Sequence, residues 1–362
     1  MKGFLLKTNN IMDNCISESH ESQNQLVDGS NDWDYRKTKN LELYKVYKRL
    51  KIENKAFRIK NCGTYLEFKR FKNNNDFKLH TANFCKQRLC PMCSWRRSLK
   101  IFGQVSRIME EAKKEKEYRF IFLTLTQRNV TGLQLSDELD KMFKGWKKLT
   151  ERKSFKKAFI GWFRALEITH DVDEIISKKM FNKKEKYYIS RGLSVGDRNP
   201  NYDTYHPHFH VILMVHKSYF KKADLYITND QMIEMWKESM GLDYSPNIDI
   251  RAFKTEGKDL SKSIAETAKY TVKDDDVLIS DNQELTDISV VILDHALCGR
   301  RLVAFGGKLK EFHKKLNLDD FENGDLVNTD SEEIENSELD FVIETYFWHI
   351  GYKQYVRYKD EI

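Results

Sequence analysis

Between residues 118 and 253 four short runs rich in β-branched and aromatic side chains follow one another: FIFLTLT (120–126), IGWFRALEIT (160–169), HFHVILMV (208–215) and NIDIRAF (247–253). Helical periodicity fills the first and third gaps, giving the order strand, helix, strand, strand, helix, strand. Few folds satisfy that order. It is the split βαβ, ferredoxin-like arrangement, an α+β fold with an antiparallel sheet. In it the first and third strands form the central pair and the second flanks the third. HFHVILMV is therefore expected mid-sheet, between FIFLTLT and FRALEIT. The first helix, 136–150, carries Leu139, Met142, Phe143, Trp146 and Leu149 on one side. The second opens on a capping box, Thr228 with Gln231, runs through Met240 and stops at Gly241. A further helix is predicted over 258–273. Residues 171–203, polar and Lys-rich, read as an insertion or long loop.

The 362 residues exceed one typical domain. Residues 1–35 are polar, lack apolar periodicity and read as disordered. Residues 36–117 hold a basic, cysteine-rich segment and a helix predicted over 94–117. Residues 118–317 form the α+β domain. Residues 318–362 read as an acidic linker, 319–344, and a short aromatic tail, TYFWHIGYKQYVRY. No apolar run approaches the roughly 18 residues of a membrane span. The apolar stretch at the start is too short for a secretory signal. A soluble, cytoplasmic protein with no membrane partner is expected.

Charge is uneven along the chain. Residues 1–35 carry a net −4 and residues 318–362 a net −10, so an overall +7 leaves +21 for residues 36–317. A middle of that sign attracts a polyanion, and nucleic acid is the obvious candidate. The helix after the cysteines begins with Arg96, Arg97 and Lys100, read as DNA contacts. Tyr187, Tyr188, Tyr202 and Tyr205, in and beside the insertion, are candidates for stacking on unpaired bases.

Of six cysteines, Cys62, Cys85, Cys90 and Cys93 cluster, the last three as C-x4-C-P-x-C. In a cytoplasmic protein a close thiol cluster points to metal rather than disulfides. Structural zinc takes four tetrahedral nitrogen or sulfur ligands. Cys85, Cys90 and Cys93 supply three, and Cys62 or His80 the fourth.

His208 and His210 stand two apart on a strand and so share a face, where two imidazoles can hold one divalent metal. His206 has the same parity, but Pro207 interrupts regular strand there, which makes it a weaker candidate. Glu167 lies in the otherwise apolar FRALEIT, on the neighbouring strand. An ionised carboxylate there needs a partner, and a two-His, one-carboxylate metal site would supply one. On a helix, Glu266, Tyr270 and Lys273 share a face, offering a carboxylate, a phenol and an ammonium. A phenol attacks phosphate only when a metal or base assists it. Lys273 could bind a phosphate oxygen or depress the tyrosine pKa.

In this order, FLTLT (122–126), LEIT (166–169), HPHFHVILMV (206–215) and ETAKYTVK (266–273) resemble the motifs of rolling-circle replication initiators. The likeness is closest to the single-tyrosine Rep proteins of small Gram-positive plasmids, within the HUH endonucleases. FCKQRLCPMC (84–93) resembles their N-terminal segment and RLVAFGGKLKEFHKKL (301–316) their C-terminal one. The resemblance implies nicking of one strand at a double-strand origin. Tyr270 would be left joined to the 5′ phosphate, with a free 3′ hydroxyl for a polymerase. It implies Tyr270 as nucleophile, Glu266 as the group that activates water for the final cut, and His208 and His210 as metal ligands. Glu167 is a less uniform third ligand, and magnesium or manganese the working metal. It also implies origin DNA, a host helicase and a polymerase as partners, and allows a homodimer.

Two other readings use the same residues. A relaxase or transposase would share the chemistry, but the single tyrosine motif and the cysteine segment argue against a relaxase. A zinc-containing DNA-binding regulator would explain the charge and the cysteines, and leave the histidine strand and Tyr270 as coincidences.

Overall fold

The computed structural model describes residues 26, 32–72, 76–252, 264–265, 271–329 and 340–358. Among them are nine strands: β1 Tyr65–Phe71, β2 Phe77–Ala82, β3 Tyr118–Thr126, β4 Gly161–Asp171, β5 Thr204–His216, β6 Ile248–Ala252, β7 Val303–Gly306, β8 Phe341–His349 and β9 Gln354–Arg357. They make two antiparallel sheets in two compact units. The first unit comprises the described residues up to Cys93 together with 340–358, and the second runs from Ser94 to Thr329.

In the second unit the strand order is β6-β3-β5-β4-β7. The first four strands stand as the sequence predicts, with β5 between β3 and β4. The fifth, β7, comes from RLVAFGG and was not foreseen. The helices Gly132–Glu151 and Asn229–Met240 are amphipathic, and their aromatic side chains gather on one sheet face. Phe143, Trp146 and Trp236 ring Phe209 of β5 at centroid distances of 5.5, 6.1 and 6.2 Å. The second helix is delimited as its sequence directs. Thr228 accepts from the Gln231 amide at 3.2 Å, and the Gln231 side chain accepts from the Thr228 amide at 2.9 Å. Gly241 ends it at φ +69°, a left-handed conformation that glycine adopts without strain.

Three expectations for this unit are corrected. Arg96, Arg97 and Lys100, read as DNA contacts, are buried. Arg96 donates to the Leu326 and Val327 carbonyls at 2.9 and 2.7 Å. Lys100 reaches the Asp319 carboxylate at 2.6 Å and the Asp325 carbonyl at 2.7 Å. Residues 319–329 are therefore not linker. Their carboxylates are spent internally: Asp320 accepts from the Glu322 and Asn323 amides, and Asp325 from those of Val327 and Asn328. The basic helix start and the acidic stretch, read as separate surfaces, thus meet through Lys100 and Asp319. The tyrosines divide likewise. Tyr188 and Tyr205 are core residues, Tyr205 stacking on His170 at 4.2 Å, which leaves Tyr187 and Tyr202 partly exposed.

In the first unit the order is β2-β1-β8-β9. The C-terminal aromatic segment, read as a tail, pairs with β1 over seven residues, from Tyr65 opposite Phe347 to Phe71 opposite Phe341. Glu344 is buried and meets both Arg70 and Arg357 at 2.9 Å. The helices Asp32–Arg49 and Glu53–Asn61 complete this unit, Trp33 standing edge-on to Phe68 at 5.6 Å. The first of them begins inside the segment read as disordered. No helix among the described residues is long and apolar enough to cross a membrane.

Candidate functional site

The pairing of β4 with β5 sets Glu167 directly opposite His208, and the pairing of β3 with β5 sets Thr124 opposite His210. Facing residues of an antiparallel pair share a face, as do residues two apart. One sheet face therefore carries Glu167, His208, His210 and Thr124. The first three are 3, 8 and 6 % exposed, so water does little to screen what they do to one another.

Hydrogen bonding orients the imidazoles. His208 Nδ1 lies 3.1 Å from the His206 carbonyl, which can only accept, so this nitrogen carries the proton. In a neutral ring Nε2 then bears a lone pair, and it faces Glu167 Oε2 at 3.3 Å. His210 Nε2 approaches the same oxygen at 2.7 Å, while its Nδ1 is 3.4 Å from Thr124 Oγ1. The three donor atoms lie within 4.8 Å of one another. A lone pair facing a buried carboxylate requires positive charge between them, either a proton or a metal ion. Burial pushes the Glu167 carboxyl up, but hydrogen bonds from His208 and His210 outweigh it and hold it well below the usual range. Imidazoles suit zinc, and the carboxylate suits magnesium or manganese. His206 is not among the converging donors; its ring stacks on His208 at 5.2 Å and its carbonyl orients it.

The segment after residue 270 returns to this face. Ile168 donates its amide to the Thr271 carbonyl at 2.7 Å, next to Glu167 in β4. Lys273, exposed along much of its length, puts its ammonium 3.3 Å from Glu167 Oε1. Tyr270 and Glu266 lie outside the described residues, as does most of the helix predicted over 258–273.

Asp276, in the short helix Asp274–Val277, was not singled out from sequence. Its Oδ2 is buried without a hydrogen-bond partner. Burial pushes its carboxyl up to about 7; Lys273 opposes that, and Glu167 and Asp171 reinforce it. A carboxyl with a raised pKa stabilises the fold while protonated. That contribution is complete below the ordinary value and is lost as pH rises to about 7. Asp276→Asn is accordingly expected to raise stability at pH 8, by up to roughly 4 kcal/mol, and to change it little at pH 4. Urea unfolding at the two pH values measures this, and an equal shift at both would refute the assignment.

The second group of donors lies in the first unit. Cys62, Cys85, Cys90 and Cys93 are all buried. Their sulfurs are 3.5 Å (Cys62–Cys93), 3.6 Å (Cys62–Cys90) and 3.7 Å (Cys85–Cys93) apart. A tetrahedron with zinc–sulfur bonds of about 2.3 Å has edges of about 3.8 Å. Backbone amides point at the sulfurs: Cys85 to Cys62 at 3.3 Å, Lys86 to Cys93 at 3.2 Å and Gln87 to Cys85 at 3.5 Å. Lys86 adopts φ +58° within this loop. Burial pushes the Cys62 and Cys90 thiols well up, so without a metal they stay protonated. Cys62, rather than His80, is the fourth member; His80 is exposed on β2.

Comparison with known proteins follows the same span. A family model described as Replication protein matches residues 76–356. A "Protein rep" from Bacillus amyloliquefaciens is 40% identical over 317 residues, covering 83% of this chain and 84% of that protein. A "Protein rep" from Streptococcus pneumoniae serotype 2 is 36% identical over 329 residues, covering 88% and 92%. A "Replication protein" from Staphylococcus aureus is 34% identical over 245 residues, covering 67% and 92%. No solved structure matches the chain.

Proposed function

The chain belongs to the replication protein family of rolling-circle initiators, and on that premise we propose that it starts plasmid replication by nicking one strand of its origin through tyrosine transesterification. The observation that carries this reading is the convergence of Glu167, His208 and His210 on the central strands, with Lys273 delivered to the same carboxylate.

In this reading Glu167, His208 and His210 hold a divalent ion, magnesium or manganese. When bound, the ion polarises the scissile phosphate and offsets the charge that develops on it. The Tyr270 oxygen attacks phosphorus in line. One phosphorus–oxygen bond forms to the tyrosine, and the bond to the 3′ oxygen breaks. The phenol gives up its proton as it attacks, and one proton reaches the leaving oxygen, directly or through water, to make the primer hydroxyl. Lys273, with its ammonium at the rim of the site, supplies positive charge to the phosphate or lowers the tyrosine pKa. Glu266 activates water for the closing cut, so the single tyrosine suffices. The 5′ phosphotyrosyl link conserves the energy for strand transfer. The four cysteines hold structural zinc. Origin DNA is the partner, with a host polymerase and helicase taking over at the nick, and the cytoplasm is the compartment.

The test is a labelled single-stranded oligonucleotide spanning candidate origin sequence, incubated with protein and manganese and resolved on a denaturing gel. Label is expected to stay with the protein, to depend on metal and to vanish in Tyr270→Phe, which retains duplex binding. A zinc-containing regulator without catalysis predicts tight duplex binding and no adduct with any origin oligonucleotide.

A further inference from the structure

Lys37 lies on the helix Asp32–Arg49 and is wholly buried, at 0 % exposure. Lysine is rarely buried so completely unless a carboxylate pairs with it. Here its ammonium donates to two carbonyls, Lys60 at 2.8 Å and Cys62 at 2.6 Å, and among the described residues it makes no ion pair with a carboxylate. One of those carbonyls belongs to Cys62, a member of the thiol cluster. Burial lowers its pKa to about 8, and Cys62, Cys90, Cys85 and Cys93 all pull the other way. Asn40, one turn further on, joins the same shell: its amide donates to the Ile59 carbonyl at 2.7 Å and its oxygen accepts from Cys90 at 3.1 Å. Tyr355 donates its hydroxyl to the Gly63 carbonyl on another side of the cluster.

Four thiolates around a divalent ion leave a net charge of −2, and all four sulfurs here are out of water. A buried charge of that size is expensive unless an opposite charge is buried beside it. We propose that Lys37 is the resident counter-cation of a four-thiolate metal site at Cys62, Cys85, Cys90 and Cys93, and that it sets how tightly the ion is held. This rests on the reading of the cysteines as a metal site and adds to it a positioning residue, 25 residues from the nearest ligand in sequence. It also accounts for a buried ammonium that would otherwise only lower stability. The competing account is purely local: Lys37 caps the carbonyl end of the helix Glu53–Asn61, through the Lys60 and Cys62 carbonyls. That role is indifferent to metal.

The two accounts separate in the full-length protein. Zinc content is measured first, then zinc release to a chromophoric chelator, then thermal unfolding of zinc-loaded and zinc-stripped protein. Lys37→Met is expected to release zinc at least about tenfold faster, the scale of losing a partner just outside the ligands. Its melting temperature should fall in the loaded form and hardly at all in the stripped form. Lys37→Arg keeps the charge and should release zinc at a rate close to wild type. Cobalt substituted for zinc should give a sulfur-to-metal absorption band in all three proteins, showing that the ligands are unchanged. Equal destabilisation of loaded and stripped Lys37→Met, with zinc release unchanged, would establish the helix cap and overturn the counter-cation. Wild-type protein that takes up neither zinc nor cobalt would instead overturn the metal site itself.

Discussion

Glu167→Gln is expected to leave a folded protein that has lost metal-dependent strand cleavage by about a thousandfold or more, the scale of removing about 4 kcal/mol of electrostatic stabilisation at a buried site. The side chain keeps its shape, so the register of β4 against β5 survives. What goes is the single negative charge among the described residues that faces both Nε2 atoms and the Lys273 ammonium. With a neutral amide there, two imidazoles alone must hold a divalent cation, and manganese affinity should fall at least about tenfold. His208→Ala should match it in cleavage. Calorimetric manganese titration alongside single-turnover cleavage checks both. Retention of manganese affinity by Glu167→Gln would mean that the carboxylate only orients the histidines.

The second large effect concerns stability. Cys90→Ser removes one of four sulfurs from the buried cluster, and where a structural zinc supplies folding energy its free energy is on the order of 10 kcal/mol. The first unit is expected to lose its cooperative melting, and a strong chelator should reproduce that loss in wild type. The second unit contributes none of these cysteines and should keep its transition. Calorimetry on full-length protein resolves the two transitions. An unchanged profile for Cys90→Ser, or no response of wild type to chelator, would remove zinc from the account.

The legible parts were those governed by short repeats. The β-branched and aromatic run HFHVILMV, the capping box at Thr228 and the order of the elements locate four strands of the second sheet, because the signals that mark each element lie within a few residues. That Glu167 stands on the strand beside the histidines followed once the topology was chosen; its register opposite His208 did not. Distant partnerships were illegible. Nothing near Arg96 or Lys100 says that their acceptors lie more than 200 residues later, around Asp319 and Leu326. Charge counted by segment was therefore misleading for this helix, whose Arg96 and Lys100 are turned inward to carbonyls and to Asp319. Lys37 and Asn40 were missed because the Asn- and Ser-rich stretch before them suppressed the helical reading. Trp33, Leu43, Val46 and Tyr47, at helical spacing, were the available signal.

The first sheet places β1 beside β8, and the ion pair from Arg70 to Glu344 spans 274 positions. On the ribosome, β1 emerges long before its neighbour. At roughly 5–20 residues per second the wait is on the order of tens of seconds. For most of it the cysteines are already outside the exit tunnel, while β8, β9 and the Tyr355 hydroxyl that closes on Gly63 are not yet made. The sheet of the cysteine unit can thus pair β1 with β8 only after the residues of the second unit have been made. A polypeptide cut short anywhere before residue 341 lacks the strand that covers β1, so an interrupted product carries an open sheet edge that a finished one does not.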